Sequence, residues 1–161
     1  MNANSAATTD LTGGCACGEI RYRLTASPLF VHCCHCSDCQ RQTGSAFVIN
    51  ILIEASQVQQ LQGTPTATVV PRYEGRLHRI FRCPKCQIAV WSEYSGRSEV
   101  LFVRAGTLDD ASGVSPDVHI YTETKLPWIR LPESVPAFAE YYDPDTLWPS
   151  ASLARRRALF G

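Results

Sequence analysis

Apolar and polar residues alternate in short runs from residue 20 to residue 121, and no run lengthens into the 3.6-residue period of a long amphipathic helix. Ile20, Tyr22 and Leu24 alternate with Glu19, Arg21 and Arg23, which predicts a half-buried strand. Residues 29–33 predict a second short strand that delivers the chain into residues 34–39. Ser37 is placed to cap a short helical turn running through Thr43, and Gly44 ends it. Residues 46–53, 66–73, 76–82, 88–93 and 100–105 are rich in β-branched and aromatic side chains and separated by Gly, Pro or Ser, so each predicts a strand. Tyr73-Glu74-Gly75-Arg76 predicts a tight turn between two of them. Residues 118–121 predict one more strand. Pro127, Pro132, Pro136, Pro144 and Pro149 exclude long helices between residues 123 and 149 and predict an extended arm lying on the body. The class that follows is mainly β with short helical turns.

A chain of 161 residues, 45% of them hydrophobic, suits one globular domain with a real core. The pattern divides it into a disordered leader over residues 1–12, a metal-binding β domain over 13–135, and a C-terminal arm over 136–161 that packs on the domain or is partly disordered. The leader is small and polar and lacks the apolar segment of a secretory signal. The longest apolar stretch, residues 46–53, is broken by Asn50 and falls far below the ~18 residues of a membrane span. A cytoplasmic protein with reduced thiols and no membrane partner is the expectation. Acidic and basic residues balance at 15 each, which is not the basic footprint of a nucleic-acid binder. Arg155-Arg156-Arg157 reads as a solvated terminal turn.

The cysteines change this picture most. Of eight, all but Cys33 fall into Cys15-Ala16-Cys17, Cys34-His35-Cys36-Ser37-Asp38-Cys39 and Cys83-Pro84-Lys85-Cys86. Recurrent C-x-C and C-x-x-C pairs without a signal peptide favour metal over a disulfide framework. Cys15, Cys17, Cys83 and Cys86 can close one tetrahedral zinc, a structural site with backbone amides of the glycine-flanked knuckle turned toward the sulfurs. Cys34, Cys36 and Cys39 leave a second zinc one protein ligand short. His32, Cys33, His35, water and a substrate thiol are the candidates for its fourth position. His35 sits between two ligands, so its ring is expected to point away from the metal. Cys33 reads as a buried strand residue, as that fourth ligand, or as a redox partner for Cys34. Three thiolates leave a zinc complex at net charge −1, a weak Lewis acid that favours a soft sulfur ligand over hydroxide generation. Two zinc ions per chain and a thiol substrate are therefore expected.

These clusters, in this order, resemble the glutathione-dependent formaldehyde-activating enzyme family, also called the centromere-protein-V-like family. The matching stretches are Gly13-Gly14-Cys15-Ala16-Cys17-Gly18, then Cys34-His35-Cys36-Ser37-Asp38-Cys39-Gln40-Arg41 with Thr43-Gly44, then Phe81-Arg82-Cys83-Pro84-Lys85-Cys86, and His119-Ile120-Tyr121-Thr122-Glu123-Thr124-Lys125-Leu126-Pro127-Trp128. The resemblance implies a zinc-containing antiparallel β-tent fold, with structural zinc on the outer pairs and catalytic zinc on Cys34, Cys36 and Cys39. It implies addition of glutathione to formaldehyde, giving S-hydroxymethylglutathione, the chemistry of a carbon–sulfur lyase. Glutathione carries two carboxylates, for which Arg41 and Lys125 are the candidate partners, while Trp128 and Tyr121 can wall a cleft. Two alternatives stand beside this: a non-enzymatic module with two structural zincs and a protein-binding β surface, and an enzyme of the same fold with another thiol or electrophile. A second site closed by His32, Cys33 or His35 would favour the module.

Overall fold

The computed structural model describes residues 11–71 and 77–160. The tight turn expected at residues 73–76 lies outside them. The chain forms two compact units, residues 1–28 with 53–111 and residues 29–52 with 112–161.

The first unit holds seven strands. Strands β1 (Leu11–Gly14) and β2 (Arg21–Leu24) pair antiparallel, and β2 pairs in turn with β5 (Val58–Gln62). Strands β6 (Thr66–Pro71), β7 (Leu77–Arg82), β8 (Ala89–Tyr94) and β9 (Arg97–Arg104) form a consecutive antiparallel meander. The expected alternation is present in β2, where Tyr22 and Leu24 are buried and Arg21 and Arg23 are not fully so. Tyr22 meets Trp91 of β8 edge-on at 5.7 Å, and its hydroxyl bonds Thr107 Oγ1 at 2.7 Å. Ile80, Val90 and Val103 complete a core with no measurable exposure.

Ordered structure begins at Leu11, two residues inside the expected leader, because β1 closes the first sheet. Gly13 and Gly14 were expected to serve a turn; they are strand residues instead, needed for close approach. A Cβ on Gly14 would stand 2.2 Å from the Ile20 carbonyl oxygen, and one on Gly13 would stand 2.5 Å from that of Thr107. Backbone cannot yield as a flexible side chain can. Gly14→Ala should therefore lower stability by about 1–3 kcal/mol, read as a lower melting temperature. An unchanged melting curve would refute this packing.

The second unit is built on three strands. Strand β3 (Phe30–Cys34) pairs antiparallel with β4 (Val48–Glu54), whose first five residues belong to this unit. On its other side β3 pairs with β10 (Val118–Ile120), and that pairing is parallel. The wholly antiparallel expectation is corrected here. Flanked on both sides, β3 is buried at every position, and its sequence Phe-Val-His-Cys-Cys carries no charge to oppose that. Helix α1 (Ser37–Thr43) follows and ends at left-handed Gly44, φ 63°.

Residues beyond 123 do run extended at first. Main-chain bonds from His119 to Pro136, Phe138 to His119 and Tyr121 to Glu140 lay this segment along β10. Phe30 stacks on Trp148 at 5.3 Å. The Tyr142 hydroxyl accepts from the Trp148 indole at 2.7 Å and lies 2.7 Å from His32 Nε2, to which it donates. The chain then forms α2 (Pro144–Leu147) and α3 (Ser150–Phe160). The expected terminal turn at Arg155-Arg156-Arg157 is part of α3, where Ala, Leu and Arg supply helix propensity without an apolar stripe. Arg156 lies over the Trp148 ring, 5.9 Å from its centroid.

Candidate metal centres

In the first unit the sulfurs of Cys15, Cys17, Cys83 and Cys86 all lie within 4.8 Å of one another. Cys15 and Cys17 are 3.6 Å apart, and Cys17 and Cys83 are 3.7 Å apart. A zinc tetrahedron with Zn–S of ~2.3 Å has S···S edges of about 3.8 Å, so the four sulfurs fit such an ion with little movement. A disulfide needs ~2 Å, and all eight cysteines are free.

The two pairs come from matching turns. Cys15 N–H donates to Ile20 C=O at 3.1 Å, and Cys83 N–H donates to Ile88 C=O at 2.9 Å. Each turn contains a left-handed residue, Gly18 at φ 78° and Gln87 at φ 64°. Amides turn inward to the sulfurs: Ile20 N–H to Cys15, and Lys85 and Cys86 N–H to Cys83. Such donors spread thiolate charge and favour ionised sulfur. The crowding divides the thiols. Amides of Ile88 and Cys17 pull Cys86 down to about 6. Although the Glu19 amide pulls the other way, burial and the thiols of Cys15, Cys86 and Cys83 push Cys17 up to about 11. Four thiolates cannot coexist there unaided, and a divalent cation is what would let them.

In the second unit Cys34, Cys36 and Cys39 form another group within the same limit, with Cys34 and Cys39 sulfurs 3.5 Å apart. Cys34 ends β3 and Cys39 lies in the first turn of α1. The helix cap is Cys36, one residue before the expected Ser37, and its sulfur accepts the Cys39 N–H at 3.3 Å. Sulfur thus takes the capping role usually filled by oxygen. Hydrogen bonding to Cys36 and Cys39 pushes the Cys34 thiol far above its ordinary range.

The intervening loop is held at His35. Its N–H donates to Ile120 C=O at 3.0 Å, and its carbonyl accepts from Gln40 Nε2 at 2.8 Å and Thr124 Oγ1 at 3.1 Å. Gln40 also reaches the Thr124 carbonyl at 2.9 Å, and Thr43 Oγ1 donates to the Cys39 carbonyl at 2.8 Å. The ring of His35 points away from the three sulfurs, toward His119 and Cys33. His32 is engaged by Tyr142. Among the described residues, no fourth Cys, His, Asp or Glu joins the three sulfurs.

The profile of the family described as glutathione-dependent formaldehyde-activating enzyme matches residues 10–124. The chain belongs to that family. A relative from Halomonas elongata, named "Putative glutathione-dependent formaldehyde-activating enzyme", is 27% identical over 141 residues, covering 83% of this chain and 89% of the relative. A solved crystal structure of a Rhodobacter sphaeroides protein is 20% identical, with a TM-score of 0.48 over 79% of this chain and 99% of that one.

Within this member of the glutathione-dependent formaldehyde-activating family, the expected recognition residues fare unequally. Arg41 is exposed in the last turn of α1. Lys125 spends two of its three ammonium protons on the carbonyls of Leu126 and Ile129, at 3.2 and 2.9 Å, leaving one donor. Trp128, 68% exposed, sits on the loop that Lys125 holds together. Tyr121 is half-buried in the left-handed region at φ 54°, with its ring 6.3 Å from that of Tyr141. Sequence reasoning gave no separate role to Gln40, Thr124 or His119. All three lie inside the stretches that carry the family resemblance, yet none has a spacing that announces a partner. No helix among the described residues is long and apolar enough to cross a membrane.

Proposed function

We propose that this chain joins the thiol of glutathione to formaldehyde, or reverses that addition, as a zinc-dependent carbon–sulfur lyase. The observation that carries the reading is the group Cys34, Cys36 and Cys39, three sulfurs at ligand distances without a fourth protein donor, in a member of this family. Cys15, Cys17, Cys83 and Cys86 would hold a second zinc, closed and structural.

A zinc ion held by Cys34, Cys36 and Cys39 would supply a soft acceptor that favours the thiolate form of an incoming sulfur. The protein's own part is positional. The Cys39 amide bonded to Cys36 and the clasp of Gln40 and Thr124 on His35 keep the three sulfurs facing one point. The reaction balances without an oxidant: a C–S bond forms, the carbonyl π pair moves to oxygen, and the thiol proton ends on the new hydroxyl. Arg41 is the proposed partner for a glutathione carboxylate, with the remaining Lys125 proton as a second donor and Trp128 as a flat wall. A reducing, cytoplasmic setting suits eight free thiols and a glutathione supply.

Exchange NMR of glutathione with formaldehyde tests the reading. Zinc-loaded protein should accelerate interconversion above the buffer rate, chelation should abolish the gain, and added zinc should restore it. No acceleration by the zinc-loaded protein would end the lyase assignment. Arg41→Ala should weaken glutathione binding several-fold while leaving a minimal thiol such as 2-mercaptoethanol unchanged; equal weakening of both would remove Arg41 from carboxylate recognition.

A further inference from the structure

Cys33, His35 and His119 form a third grouping that the lyase reading does not use. Their donor atoms lie within 4.8 Å of one another and all three residues are buried. Parallel pairing of β10 with β3 sets His119 opposite Cys33, and the His35 ring turns back from the next loop to meet them. Cys33 Sγ is 3.5 Å from His35 Nε2, which is 3.0 Å from His119 Nδ1. A single ring nitrogen, with one lone pair or one proton, thus faces two neighbours and cannot serve both with full hydrogen bonds. The other nitrogen of His35, Nδ1, is buried without a hydrogen-bond partner. A buried network left incomplete in this way calls for a ligand.

We propose that Cys33, His35 and His119 form a third metal site, for Cu(I) bound by one thiolate and two neutral imidazoles. Charge selects the ion. Cu(I) with one thiolate is neutral, whereas a divalent ion would leave a net positive charge in a dry site whose donor set contains no carboxylate. Softness agrees, since thiolate and imidazole both suit copper, and one Cys with two His is a trigonal copper donor set. With metal–sulfur near ~2.3 Å and metal–nitrogen near ~2.0 Å, a trigonal site has S···N of about 3.7 Å and N···N of about 3.5 Å. The sulfur is already placed, and the two rings need part by only about half an ångström. Ligation through Nε2 also fixes the His35 proton on Nδ1. The site stands whether or not the lyase reading does.

Anaerobic titration of the zinc-loaded full-length protein with Cu(I), buffered by a chromophoric competitor, tests this. One Cu(I) per chain should bind without release of zinc. X-ray absorption at the copper edge should give one sulfur and two nitrogen neighbours, a readout that needs no variant. Cys33→Ser and His119→Gln, checked for folding by circular dichroism, should each weaken binding at least tenfold. Copper that binds only by expelling zinc, an all-sulfur environment, affinity unchanged in both variants, or failure to compete for Cu(I) at all would each overturn the site.

Discussion

Cys83→Ser should yield a chain that does not hold its fold at 25 °C. Cys83 has no measurable exposure, and its sulfur accepts two backbone amides at 3.4 Å. It also binds together strand ends far apart in sequence, since Cys17 lies 3.7 Å away across 66 residues. Apparent free energies for structural zinc run to ~10–16 kcal/mol, whereas the net stability of a domain is only ~5–15 kcal/mol. Loss of one ligand therefore removes a quantity comparable to the whole stability. Circular dichroism and zinc analysis of the purified variant check this. A cooperative melt within about 5 °C of the parent would show that the four cysteines are not a structural centre.

Cys36→Ser should behave in the opposite way, keeping the fold and losing the activity. Serine is itself a good helix cap, so its hydroxyl can take over the Cys39 N–H and α1 should persist. As a zinc ligand it is far poorer than thiolate. Groups that merely support metal ligands cost 10–100-fold when removed, so removal of a ligand should cost on the order of 10²-fold or more in rate. The melting temperature should stay within about 3 °C of the parent. Equal loss of stability in Cys36→Ser and Cys83→Ser would contradict the proposed division between the two centres.

Much of the candidate site was legible because its information is local. C-x-C and C-x-x-C turns carry their geometry in a few adjacent residues, and the turns at Cys15 and Cys83 need only a left-handed residue and one closing main-chain bond. The fate of His32, Cys33 and His35 was not local. It depends on the parallel pairing of β10 with β3, which sets His119 against Cys33, and on Tyr142, 110 residues from His32. Strand β5, Val-Gln-Gln-Leu-Gln, escaped notice because it is exposed over most of its length and so carries no alternation. Helix α3 escaped for the related reason that its residues are mostly solvated and form no apolar face. Periodicity reports burial, and elements that bury little leave no such trace.

The central claim is that Cys34, Cys36 and Cys39 hold a metal with a position open to an incoming thiol. Calorimetry of the zinc-loaded protein with glutathione and with S-methylglutathione, in buffers of different ionisation enthalpy, tests it most directly. The two ligands share both carboxylates and differ at sulfur. Glutathione should bind with release of close to one proton at neutral pH, because the thiol must ionise to bind, and S-methylglutathione should bind far more weakly with no proton released. Equal affinity for both, with no proton released by either, would contradict the account.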